Sequence, residues 1–125
     1  ESDFSSNTSI YQAALVVTDW SNIGYEYSFS TLRPVMFINT PMKVINPDYK
    51  EIGVVPIDLS LRSEIGIEVT GRSADEVAEA AEKLLKTKCF SAEQISKARD
   101  RSLFNVGKSD EVGGKYILSR LSQKK

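Results

Sequence analysis

Two short apolar runs separated by a helix-like segment constrain this chain more than any other feature. Leu15-Val16-Val17 closes in Thr18-Asp19, and Val35-Met36-Phe37-Ile38 follows Arg33-Pro34. Each run is too short for a core helix and too uniformly apolar for a half-wet strand, so each reads as a strand buried on both faces. Between them Ser21-Asn22 offers a helix N-cap, and residues 23–31 carry Ile23, Tyr27 and Ser30 at helical spacing. Arg33-Pro34 stops that helix, because the residue before a proline is driven out of the helical region. Strand, helix, strand with short loops is a βαβ unit, which implies parallel strands and a right-handed crossover.

The rest of the chain mixes helical signals with loops and two ambiguous strand-like stretches. Residues 10–14 can form a short helix. Residues 39–46 read as a loop that closes in Asn46-Pro47, and residues 48–51 as a helical turn. Residues 52–57 and 65–69 have β-branched side chains at strand spacing, interrupted by glycine and proline. Residues 59–65 read as a helical turn that carries Arg62 and Glu64. Ser73-Ala74-Asp75-Glu76 is a capping box, and Val77, Ala80, Ala81, Leu84 and Leu85 continue a helix over 74–86. Ser91-Ala92-Glu93-Gln94 opens another, with Ile95, Ala98 and Leu103 on its apolar side. Residues 109–121 complete the series, with Tyr116, Ile117 and Leu121 expected as a buried edge.

Two parallel strands have little sheet to sit in, and a doubly wound domain normally has more. The expectation is therefore an α/β chain in which residues 1–125 form one domain fragment. It would be the last βαβ unit and C-terminal helices of a larger fold, with an incomplete parallel sheet, or a chain that completes its sheet by pairing with another.

Composition excludes several function classes. With 16 basic and 17 acidic side chains the formal net charge is −1, so a nucleic-acid partner is not expected. Cys89 is the single cysteine, which rules out an internal disulfide and a cysteine-rich zinc site and suits a reducing, cytoplasmic setting. The apolar runs are far too short to span a bilayer, and the polar, acidic stretch 1–9 carries no secretory signal. The basic tip Lys124-Lys125 leaves a peripheral contact with the inner membrane face as an open reading. The chain has no histidine, so the commonest general base near neutral pH would have to come from elsewhere in a longer protein.

The residues that bear on chemistry are Thr18-Asp19-Trp20-Ser21-Asn22. They join the carboxyl end of a strand to the start of a helix, where open α/β sheets bind ligands. The first N–H groups of a helix are unpaired and carry partial positive charge. Hydroxyls beside them complete a cradle for phosphate, and Ser21 and Asn22 stand in that position. Ser21 or Asn22 capping its own helix is the alternative.

The segment Ala13-Ala14-Leu15-Val16-Val17-Thr18-Asp19-Trp20-Ser21-Asn22, followed by Gly24-Tyr25-Glu26-Tyr27 and Arg33-Pro34-Val35-Met36-Phe37, resembles the hallmark of the CDP-glycerol glycerophosphotransferases of teichoic-acid-type polymer synthesis. Trp20 stands where that family usually has Tyr, Asn22 where it has a second Ser, and Ala14 where Asp is common. Arg101-Ser102-Leu103-Phe104-Asn105-Val106-Gly107-Lys108-Ser109 is similar to the family's closing segment. The middle, residues 40–70, resembles it only loosely. The resemblance implies a GT-B architecture, in which two Rossmann-like three-layer α/β/α domains face each other across a cleft. The chain would be the C-terminal, donor-binding part. Thr18, Ser21 and Asn22 would hold the diphosphate of CDP-glycerol, and Asp19, Glu26 and Lys108 would lie on the nucleotide side. The catalytic residues and the polymer acceptor would belong with an N-terminal domain, so no catalytic residue, metal or cofactor is expected here. A sugar-nucleotide transferase or epimerase-like donor domain shares a similar turn. A non-catalytic interaction module on the same fold is the other alternative.

Gly107-Lys108-Ser109 does not make a phosphate-binding P-loop, because Ser102 stands where the pattern needs its first glycine. No earlier acidic pair supports a phospho-acceptor role for Asp19. Asp48, Glu51, Asp58 and Glu64 lack metal-ligand spacing. Arg33 and Arg62 read as members of surface ion pairs, with pairing to phosphates as the alternative, and Trp20, Tyr25, Tyr27 and Phe29 read as core rather than as a base-stacking platform.

Overall fold

The computed structural model describes residues 8–42, 48, 50–70, 73–87 and 89–123. In chain order the elements are α1 (Thr8–Gln12), β1 (Val16–Thr18), α2 (Ile23–Thr31), β2 (Val35–Ile38), α3 (Ile57–Ser60), α4 (Arg62–Ile65), β3 (Gly66–Val69), α5 (Ala74–Lys86), α6 (Ala92–Ser102) and α7 (Ser109–Ser122). The fold is mixed α/β, with a small parallel sheet and several helices.

The capping signals act as written. The Ser73 side chain accepts the Glu76 N–H at 3.3 Å, and the Ser91 side chain accepts the Gln94 N–H at 3.1 Å. Each bond satisfies one otherwise unpaired donor in a first helical turn. α2 ends differently. Leu32 turns left-handed at φ 54° and donates its N–H to Ser28 O at 2.8 Å, before Pro34 can interfere.

The sheet has three strands in the order β1-β2-β3, all parallel. Val16, Val35 and Gly66 stand in register, as do Thr18, Phe37 and Glu68. These two rows share one face, because side chains alternate along a strand. α2 packs against that face through Gly24, which lies over Thr18, Val35 and Phe37. The main core forms there from Tyr27, Val35, Phe37, Leu61, Ile65, Ile95 and Ala98. On the opposite face α5 runs beside β3, and Ile67, Val69, Ala80 and Leu84 line a groove between them. The amino end is pinned to this core: Tyr27 Oη and Arg33 Nη1 both donate to Ala13 O, at 2.9 and 2.7 Å.

Several expectations change. The first helix covers 8–12 rather than 10–14. β1 is an edge strand rather than one buried on both faces, and Val17 is 45% exposed, with no helix over it among the described residues. A third strand forms at Gly66–Val69 and the sheet extends to it, whereas residues 52–56 form no strand. The turn expected over 59–65 is two short helices, α3 and α4. α7 forms as expected, but its expected buried edge does not: Tyr116, Ile117 and Leu121 are all exposed. Their spacing makes a stripe, and among the described residues no element lies against it closely enough to bury it. Most of the polar stretch 1–9, the Asn46-Pro47 loop end and the Lys124-Lys125 tip lie outside the described residues.

Candidate functional site

β1 ends at Thr18, and Asp19, Trp20, Ser21 and Asn22 carry the chain into α2. Asp19, Ser21 and Asn22 are exposed, while Thr18 and Trp20 are half-buried. Ser21 Oγ accepts the Ile23 N–H at only 3.5 Å, a long and weak contact that leaves the hydroxyl available. Asn22 occupies the N-cap position but its side chain makes no cap bond; its carbonyl accepts from Tyr25 and Glu26 N–H at 3.0 and 3.2 Å. The turn therefore presents a hydroxyl, an amide side chain and the positive end of a helix to solvent together.

Behind the turn lies Arg62, which is 2% exposed. Its guanidinium is sandwiched 4.0 Å from the Trp20 ring centroid and 4.4 Å from that of Phe37. Nη2 donates to Asn39 Oδ1 at 2.8 Å and Nη1 to Asp19 O at 3.4 Å. Nε lies 3.4 Å from Glu68 Oε2, within ion-pair reach but without hydrogen-bond geometry. The expectation of a surface ion pair for Arg62 is thus corrected. The signal was present in the sequence: Leu61 and Ile65 flank Arg62 within one helical turn, and both point into the core. Trp20 is fixed from a second side, because its Nε1–H donates to Thr40 O at 2.9 Å.

Beside the turn a groove of about 490 Å³ opens between α2 and α3. Asn22 and Glu26 line it at the turn's end, with Tyr25, Phe29, Tyr11 and Asp58 further along. Among the described residues its charged side chains are the carboxylates of Glu26 and Asp58, with no lysine or arginine in its walls. A phosphate would be repelled there. The groove suits a flat or neutral group rich in N–H and O–H donors. The Tyr25 hydroxyl donates to Asp58 O and ties α2 to α3. Burial pushes the Tyr25 hydroxyl up to about 12, against a smaller lowering by Arg62.

The chain matches no family model, no curated protein and no solved structure.

The six residues singled out from sequence divide accordingly. Thr18, Asp19, Ser21, Asn22 and Glu26 come together at one end of the sheet. Lys108 does not join them. It precedes α7, is exposed, and makes no hydrogen bond or ion pair with the turn among the described residues. Sequence reasoning missed Asp58 as a wall of the groove, since nothing near it in the chain points to Glu26. A second groove, of about 410 Å³, lies between β3 and α5 beside the exposed Cys89 and contains none of the six. Among the described residues no group of three or more His, Cys, Asp or Glu could hold a metal ion, and no helix is long and apolar enough to cross a membrane.

Proposed function

We propose that this chain is the donor-binding part of a CDP-glycerol glycerophosphotransferase, the C-terminal Rossmann-like portion of a GT-B enzyme. The observation that carries the reading is the open turn Thr18–Asn22 at the carboxyl end of β1, with the acid-walled groove beside it. Thr18, Ser21 and Asn22 would take the diphosphate, met by the N-terminal end of α2. Glu26 would accept from ribose or base donors in the groove, and Asp19, in the adjoining turn, would lie on the nucleotide side. Lys108 would reach the nucleotide only through a rearrangement of the 103–109 loop.

In the reaction an acceptor hydroxyl attacks the β-phosphorus of CDP-glycerol. The new P–O bond to the acceptor forms, the bond to the bridging oxygen breaks, and CMP leaves. A base must take the hydroxyl proton. With no histidine in the chain, that base would be supplied by the N-terminal domain together with the acceptor site. This chain alone would bind donor and not turn it over. The enzyme would act in the cytoplasm, at the inner face of the membrane where such polymers are made.

One observation favours a non-catalytic interaction module instead. Arg62, the cation behind the turn, faces inward onto Asn39, Asp19 O and Glu68, so it does not offset the charge of a bound diphosphate. Calorimetric titration with CDP-glycerol, CDP and UDP-glucose separates the readings. Saturable binding of the cytidine ligands, weakened about tenfold or more by Ser21→Ala and by Glu26→Ala, supports the transferase reading. Preference for UDP-glucose supports the sugar-nucleotide alternative, and no binding of any of the three supports the module.

A further inference from the structure

Arg62 is costly where it stands. A guanidinium stripped of water needs all its donors paired, and Nε lacks a well-formed bond. A leucine or methionine would fill the same space without that desolvation. Burial alone therefore does not account for an arginine at this position.

Its contacts do. Asp19 and Trp20 follow β1, Asn39 follows β2, and Glu68 belongs to β3. One side chain thus touches the carboxyl end of every strand in the sheet. The planar fork reaches Asp19 O and Asn39 Oδ1 together, while its faces stack on Trp20 and Phe37. A lysine ammonium can neither fork nor stack in this way. Asp19 O and the Trp20 ring are held from behind, and these two residues lead directly into Ser21 and Asn22. We infer that Arg62 is the positioning residue of the strand-end turn. It never touches the ligand, and it fixes the backbone on which the anion-binding hydroxyl and amides are mounted. This rests on the reading of the turn as an anion site.

The test compares the full chain with its Arg62→Lys and Asn39→Ala variants. Asn39→Ala removes one anchor of the fork and serves where Arg62→Lys fails to fold. Backbone amide exchange at residues 20–24 is measured against exchange in β2, and CDP binding is followed by calorimetry and by the emission of Trp20, the single tryptophan. The expected result is faster exchange confined to the turn, a shifted Trp20 emission and about tenfold weaker CDP binding. Ile95→Val, which loosens the core elsewhere, should leave CDP affinity unchanged. Turn exchange and CDP affinity both within about twofold of the parent in a folded variant would overturn the inference. If the parent binds no CDP, the nucleotide reading falls, and turn exchange alone then decides the role of Arg62.

Discussion

Gly24 and Phe37 approach so closely that a Cβ at position 24 would lie 2.9 Å from Phe37 Cε1, with Thr18 Cγ2 at 3.1 Å and Val35 Cγ1 at 3.2 Å. That approach lets α2 lie flat on β1 and β2 and aims its first turn at the strand ends. Gly24→Ala should cost about 1–3 kcal/mol through overpacking. Gly66→Ala should cost more, because its Cβ would fall 2.0 Å from Val35 O, which is backbone and cannot rotate away. Urea denaturation of the two variants gives the order directly. Equal stability losses would contradict the packing described.

Ser28 provides a change of opposite sign. Its hydroxyl is buried on α2 and has no hydrogen-bond partner among the described residues. A buried polar group without a partner costs about 1–3 kcal/mol. Ser28→Ala should therefore hold or raise stability, by up to about 1 kcal/mol, as read by the thermal midpoint. A clear loss would show that the hydroxyl is satisfied.

Stability at high pH should depend on Tyr25. Burial holds its proton on more tightly in the folded chain, with a value near 12 against 10.0 unfolded. The unfolded chain thus releases this proton first as pH rises, and linkage removes stability with it. The contribution is fully present below pH 10.0 and is lost as pH climbs to about 12. In Tyr25→Phe the fall in thermal midpoint across that window should be shallower than in the parent. Parallel curves would mean that the hydroxyl titrates normally.

The outer stripe of α7 should matter little to this chain. Ile117→Ser and Leu121→Ser lie on exposed positions, so each should shift stability by less than about 0.5 kcal/mol. Ile95→Ala, fully buried in the core, should cost about 2–5 kcal/mol. Denaturant midpoints of the three variants check this contrast.

The same contrast shows what could be read in advance. β2, the caps Ser73 and Ser91, and the bounds of α5 follow from local signals: an apolar run, a hydroxyl before a helix, a repeat of 3.6. β3 was obscured because Gly66 interrupts its pattern, and its glycine is required by the close passage of Val35 O. α7 misled because periodicity shows which side of a helix is apolar but not whether anything covers it. At the site, the turn was legible from chain order alone. The groove was not, since Glu26 and Asp58 meet only when α3 folds back beside α2. Arg62 was legible only through its apolar neighbours, because a charged residue is ordinarily placed at the surface.

In the proposed function an anion would settle on the donors just past Asp19. Backbone amide and indole shifts recorded while CDP is added test it most directly. The largest shifts should fall on residues 20–24 and the Trp20 Nε1–H, with smaller ones around Glu26 and Asp58. Shifts centred on the β3–α5 groove near Cys89, or none at millimolar CDP, would contradict it.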